Sequence, residues 1–188
     1  MASLRRPHAA RAAVPIGLVI LLLLSTGCWG AAQSEYRVKA VFLFNFAQFV
    51  EWPPTAYQSP ATPFVIGILG EDPFGPDLDA IVHGERVDQH PMVVERFRSV
   101  DEVHDCNILY IARTEIPRLP TILTALKGRS VLTVSDAEQS DQSGVMIRLV
   151  NRNSRIRLQI DVGAAKAGNL TISSKLLRPA EIVGGQEG

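Results

Sequence analysis

The chain has 188 residues, 46% of them apolar, with 19 Lys+Arg matched by 19 Asp+Glu. No run of basic residues could neutralise a row of phosphates, which argues against a nucleic-acid partner. The length suits one domain with its own core, not two.

In chain order, Arg5, Arg6 and Arg11 precede an apolar stretch from Ala12 to Leu24 and then small residues at Gly27, Gly30, Ala31 and Ala32. This is the layout of a secretory signal over residues 1–32, and the apolar stretch is short for a membrane span. The expectation is an exported chain over 33–188, with 16 Lys+Arg against 19 Asp+Glu, a net charge of −3. Ser25, Thr26, Gly27 and Cys28 also fit a loose lipobox, so lipid anchoring through Cys28 is the alternative to a soluble periplasmic product.

From Tyr36 the pattern is helical as far as Pro53, with one narrow polar stripe at Ser34, Arg37, Asn45 and Gln48. Phe42, Phe44, Phe46, Phe49 and Trp52 are more than one helix face can hide, so this helix is either sandwiched in a core or partly covered by another chain, a second copy included. Pro53, Pro54, Pro60 and Pro63 then break the pattern. The continuous apolar run Phe64–Leu69 predicts a buried strand, followed by a turn in which Asp72 caps, Pro73 fixes φ and Gly75 supplies a positive φ.

A short helix is predicted over Pro76–Val82, strands over Met92–Phe97 and Asn107–Ala112, a helix over Pro117–Lys127 and a strand over Ser130–Val134. Gly144–Val150 and Arg155–Ile160 alternate apolar with polar around an Asn/Ser turn, which predicts an antiparallel hairpin. A last helix is predicted over Ser173–Val183, capped by Ser173 and burying Leu176, Leu177 and Ala180. The fold class is α/β: one domain with a mixed, mostly parallel sheet flanked by helices and a C-terminal antiparallel hairpin.

Catalytic motifs are missing. His83, His90 and His104 lack metal-ligand spacing, and Cys106, the one cysteine beyond the signal region, has no partner for a disulfide or a metal pair. Gly67, Gly70 and Gly75 match neither dinucleotide nor phosphate-loop spacing, and Glu71 and Asp72 would repel a phosphate. No catalytic residue, metal or cofactor is expected. In a mostly parallel sheet the loops beyond the carboxyl ends of the strands form the usual crevice, here residues 70–75, 112–115 and 135–141. Glu71, Phe74, Ser135 and Asp136 are therefore the candidate partner-binding residues, with plain turn chemistry as the competing reading.

Six groups of residues, in order, resemble the YfiR family. They are Lys39 to Pro53; Gly67 to Gly75; Cys106 to Ile111; Leu132 to Asp136; Gly144 to Ile147; and Ser173 to Leu177. The resemblance implies a periplasmic, non-enzymatic protein that holds the periplasmic sensor domain of an inner-membrane diguanylate cyclase inactive, and so lowers cyclic-di-GMP and biofilm signalling. A periplasmic small-ligand binder is the alternative. Two departures stand out: relatives often carry further, pairing cysteines, and they usually show an aromatic and paired glycines where this chain has residues 137–143. Redox control is therefore not carried over, and a different partner is open.

Overall fold

The computed structural model describes residues 27–59, 61–137 and 144–184, with side chains from residue 32 onward. The signal and lipobox readings of residues 1–32 fall largely outside the described residues, as does the 138–143 part of the loop that departs from the resemblance. Residues 35–188 form one compact unit, separate from residues 1–34. The first helix, α1 (Gly27–Phe49), spans that boundary.

Continuous apolar runs make strands that are buried on both faces. Every residue of β2 (Phe64–Leu69), β5 (Ile108–Ile111) and β6 (Leu132–Ser135) is buried. Because side chains alternate along a strand, these segments feed two cores. Phe64, Ile66, Ile68, Ile108, Tyr110, Leu132 and Val134 join Leu43 and Phe46 of α1 and Leu78 of α2 (Pro76–Val82). Val65, Leu69, Leu109 and Ile111 instead join Leu119 and Ile122 of α3 (Leu119–Ala125). Helices thus cover both faces of one sheet.

The other strands of this sheet are β3 (Arg86–Val87), β4 (His90–Phe97), β7 (Ile147–Arg152), β8 (Arg155–Asp161) and β10 (Glu181–Val183). Among the described residues the sheet has eight strands, in the order β10-β8-β7-β6-β5-β2-β4-β3. All neighbours are parallel except β7 with β8 and β3 with β4. From β2 the chain builds outward to β4, then crosses back to place β5 on the other side of β2. That reversal opens a crevice between the carboxyl ends of β2 and β5, where the loops part in opposite directions. The hairpin forms as expected: Arg152 faces Arg155 across Asn153 (φ 53) and Ser154 (φ 59), the doubly left-handed turn that matches strand twist.

Three local expectations need correction. The helix predicted over Ser173–Val183 is only one turn, α4 (Ser174–Leu177), and residues 181–183 become β10 beside β8. Pro179 would remove a helix donor and clash with the turn before it, so the helix stops and the β-branched Ile182 and Val183 extend. Ser173 does cap, its Oγ accepting from Lys175 N at 3.3 Å. Helix α1 ends at Phe49, not Pro53; Val50–Glu51 is strand β1, paired antiparallel with β9 (Thr171–Ile172). Pro53 and Pro54 favour extended backbone upstream, and the side pairing supplies partners for it. The helix expected over Pro117–Lys127 is preceded by a 3-10 turn over Arg113–Arg118 and reaches α geometry only at Leu119.

Candidate functional site

Strand β6 ends where the Ser135 hydroxyl donates to the Ile111 carbonyl at 3.0 Å and accepts from Ala137 N at 3.4 Å. The chain leaves the sheet there, and Asp136 is delivered, 1% exposed, beside the switch-point crevice. One carboxylate collects donors from three elements. Tyr110 of β5 donates to its Oδ1 at 2.6 Å. Lys39 and Tyr36, three residues apart on one face of α1, donate to Oδ2 at 2.5 and 3.0 Å. Arg113, just past β5, donates from Nε to Oδ1 at 3.3 Å and from Nη2 to Oδ2 at 3.1 Å.

Lys39 is itself fully buried, and it also pairs with Glu35 one turn earlier. Asn151 of β7 donates to that Glu35 at 2.7 Å. The Lys39 ammonium lies 4.4 Å from the Tyr36 ring centre, a cation–π contact that adds to the ion pairs. Two positive and two negative groups therefore balance. Such a cluster is tolerated in a core only because each charge is paired and hydrogen-bonded.

Burial opposes ionisation of Asp136, yet the hydrogen bonds from Lys39 and Tyr110 outweigh it and hold the carboxyl below its ordinary range. Burial, with Asp136 close by, pushes the Tyr36 phenol up to about 12, and the same causes raise Tyr110 further. At neutral pH the tyrosines remain protonated donors and Asp136 remains an anion. The cluster is a set of fixed charges and oriented donors.

Above it lies a cleft of about 220 Å³ lined by Tyr36, Glu71, Asp72, Pro73, Tyr110, Ala112, Arg113 and Thr114. The loop after β2 is rigidly built: Asp72 Oδ1 accepts from Phe74 N at 2.7 Å and Gly75 N at 3.2 Å, and its Oδ2 takes Arg96 Nε at 2.9 Å. Arg96 also grips Asp79 of α2, tying loop, helix and β4 together. The turn chemistry expected for Asp72 and Gly75 (φ 53) is present. Gly70 (φ 93) lets the loop after β5 approach, since a Cβ there would lie 2.7 Å from Glu115 Cγ, and Glu71 N donates to Thr114 Oγ1 at 3.3 Å.

A model of the YfiR/HmsC-like family matches residues 36–181, from Tyr36 of the cluster to the first residue of β10. The chain belongs to the YfiR/HmsC-like family. No curated protein matches it. Among the described residues of this YfiR/HmsC-like chain, no helix is long and apolar enough to cross a membrane.

Of the four residues picked from sequence, Glu71 lines the cleft of this YfiR/HmsC-like domain, Phe74 and Asp136 lie against its lining residues Tyr36 and Tyr110, and Ser135 closes the end of β6. Glu71 is exposed on the rim. Phe74 is buried, packed edge-on against Tyr36 and Tyr110 with ring centres 5.7 and 4.7 Å apart. Ser135 and Asp136 are buried too, so these three shape the site from beneath. Sequence reasoning missed Tyr36, Lys39, Tyr110 and Arg113. Lys39 carried a signal, being the one charge of α1 beyond Tyr36 that stands off the polar stripe, among apolar neighbours. Cys106 is buried, its Sγ donating to the Ile108 carbonyl at 3.0 Å, and burial pushes its thiol up to about 12.

Proposed function

We propose that this protein is a periplasmic regulator that restrains an inner-membrane diguanylate cyclase by binding the cyclase's periplasmic sensor domain. Membership of the YfiR/HmsC-like family carries the reading. The switch-point cleft supports it: its charges are fixed in a preformed shape, and Glu71, Arg113 and Thr114 are exposed at its edge. Preformed donors lose little conformational freedom on association, which suits recognition. Phe74, Ser135 and Asp136 hold that edge in place.

The mechanism is linkage. A regulator that binds the inactive conformation of the sensor better than the active one shifts the population toward inactive, by no more than its difference in affinity. A 100-fold preference is about 2.7 kcal/mol, enough to silence an otherwise evenly balanced enzyme. Release of the regulator restores synthesis of cyclic-di-GMP across the membrane.

The test is crosslinking of the tagged protein in intact source cells, with mass spectrometry of what is captured, beside cyclic-di-GMP measurement in cells lacking the protein. Capture of a membrane protein with a cytoplasmic cyclase domain, and a rise in cyclic-di-GMP on deletion, are the expected results. An unchanged cyclic-di-GMP level with no cyclase captured would refute the reading.

A further inference from the structure

We propose that the switch-point cleft is a carboxylate receptor whose binding edge is the outer side of the Arg113 guanidinium. The Asp136 carboxylate takes Nε at 3.3 Å and Nη2 at 3.1 Å, and its backbone carbonyl takes Nη2 again at 3.4 Å. This side-on grip fixes the plane of the guanidinium and leaves Nη1 without a hydrogen-bond partner among the described residues. An arginine held this way presents its Nη1 hydrogens already oriented, so a bound carboxylate need not immobilise a long side chain.

The other lining side chains narrow the choice of donor. The hydroxyl hydrogens of Tyr36 and Tyr110 are taken up by Asp136. Thr114 Oγ1 accepts from Glu71 N at 3.3 Å, which leaves its own hydrogen to donate. Arg113 and Thr114 are adjacent in sequence, both exposed and both on the cleft wall. A carboxylate that accepts from Nη1 of Arg113 and from the Thr114 hydroxyl fits this pair.

Charge favours a monoanion. Glu35, Lys39, Asp136 and Arg113 cancel, and Asp72 is held by Arg96, so among the described residues of the cleft wall the acid without an ion-pair partner is Glu71. A phosphate dianion would meet Glu71 with twice the charge of a carboxylate. Pro73, Ala112 and the Tyr36 ring supply wall for a small apolar or planar body behind the carboxylate. The carboxylate belongs either to a free small molecule or to an acidic side chain of a protein partner; the chemistry at Arg113 is the same.

Two measurements decide the matter. In the first, acetate, propionate and benzoate are titrated into the purified wild type and each variant while the Thr114 backbone amide resonance, present in all of them and on the cleft wall, is followed. A saturable shift is expected, with affinity weakened ~10-fold or more in Arg113→Gln, the scale of a charge-assisted hydrogen bond. Glu71→Gln should tighten binding by about 2-fold, the size of a screened surface charge. In the second, crosslinked capture is compared between wild type and Arg113→Gln.

A response in the titration points to a free carboxylate, and loss of capture alone points to an acidic residue of the partner; either supports the proposal. Equal titration of wild type and Arg113→Gln overturns it. So does no response to any of the three acids together with undiminished capture by Arg113→Gln. If the wild type captures nothing, the cyclase reading fails and the titration alone decides the carboxylate proposal. Should Arg113→Gln unfold, Arg113→Lys retains the charge on Asp136 without the fork and takes its place in both arms.

Discussion

Replacing Lys39 by Met tests whether the buried cluster is a paired unit. Lys39 and Asp136 both have fully buried side chains, 2.5 Å apart, and the methionine keeps the length and apolar stem of the lysine. What it removes is the charge opposite Asp136. Breaking a buried pair from one side costs about 3–5 kcal/mol, because the remaining ion is left undercompensated. Tyr36, Tyr110 and Arg113 still donate to Asp136, so the low end, about 3 kcal/mol, is expected here. With a urea slope of about 2 kcal/mol per molar, the unfolding midpoint should fall by about 1.5 M with the slope unchanged. Adding Asp136→Asn removes the stranded charge, so the double variant should cost clearly less than the two single changes together.

The pH dependence has a definite sign. The Asp136 carboxyl lies below its ordinary 3.8 in the folded chain, so its stabilisation is complete above that value and lost as pH falls through the folded value. The gap between wild type and Lys39→Met should therefore be constant near neutrality and narrow only in strong acid. A loss under about 1 kcal/mol, or strict additivity with Asp136→Asn, would refute the account of a coupled buried pair.

The other predictions concern packing. Gly67→Ala would bring a methyl 2.6 Å from Phe97 Cε2 and 2.8 Å from Cys106 Sγ, and should destabilise by about 1–3 kcal/mol in thermal or urea unfolding. Cys106 should be inert to an aromatic disulfide reagent in the native protein at pH 8 and react promptly in urea, since burial holds the thiol near 12. Rapid native labelling would contradict that environment.

How far the site was legible differs from residue to residue. Asp136 could be singled out because it follows a predicted strand and a carboxyl-end loop is the expected crevice. Tyr110 could not, since within a buried apolar run its ring reads as core and its hydroxyl acquires meaning only once Asp136 stands opposite. Arg113 looked like any loop arginine. Phe74 was picked as a contact residue and proves to be a buried wedge, because aromatic exposure depends on what neighbouring elements leave open.

By itself the sequence determined the element types that rest on local rules. The apolar runs of β2, β5 and β6 demanded a sheet covered on both faces, period-two alternation demanded the β7–β8 hairpin, and Asp72 and Gly75 demanded their turn. Its family membership was legible in the same way, through residues at fixed spacing. Tertiary structure decided whatever depends on partners far along the chain. It ended α1 early by pairing Val50–Glu51 with Thr171–Ile172, and turned residues 181–183 into a strand against β8. It also brought Lys39 to Asp136 across 97 positions. A buried charge has no local signature that says which ion will meet it; only the packing of α1 over the strand ends supplies that neighbour, and with it the site.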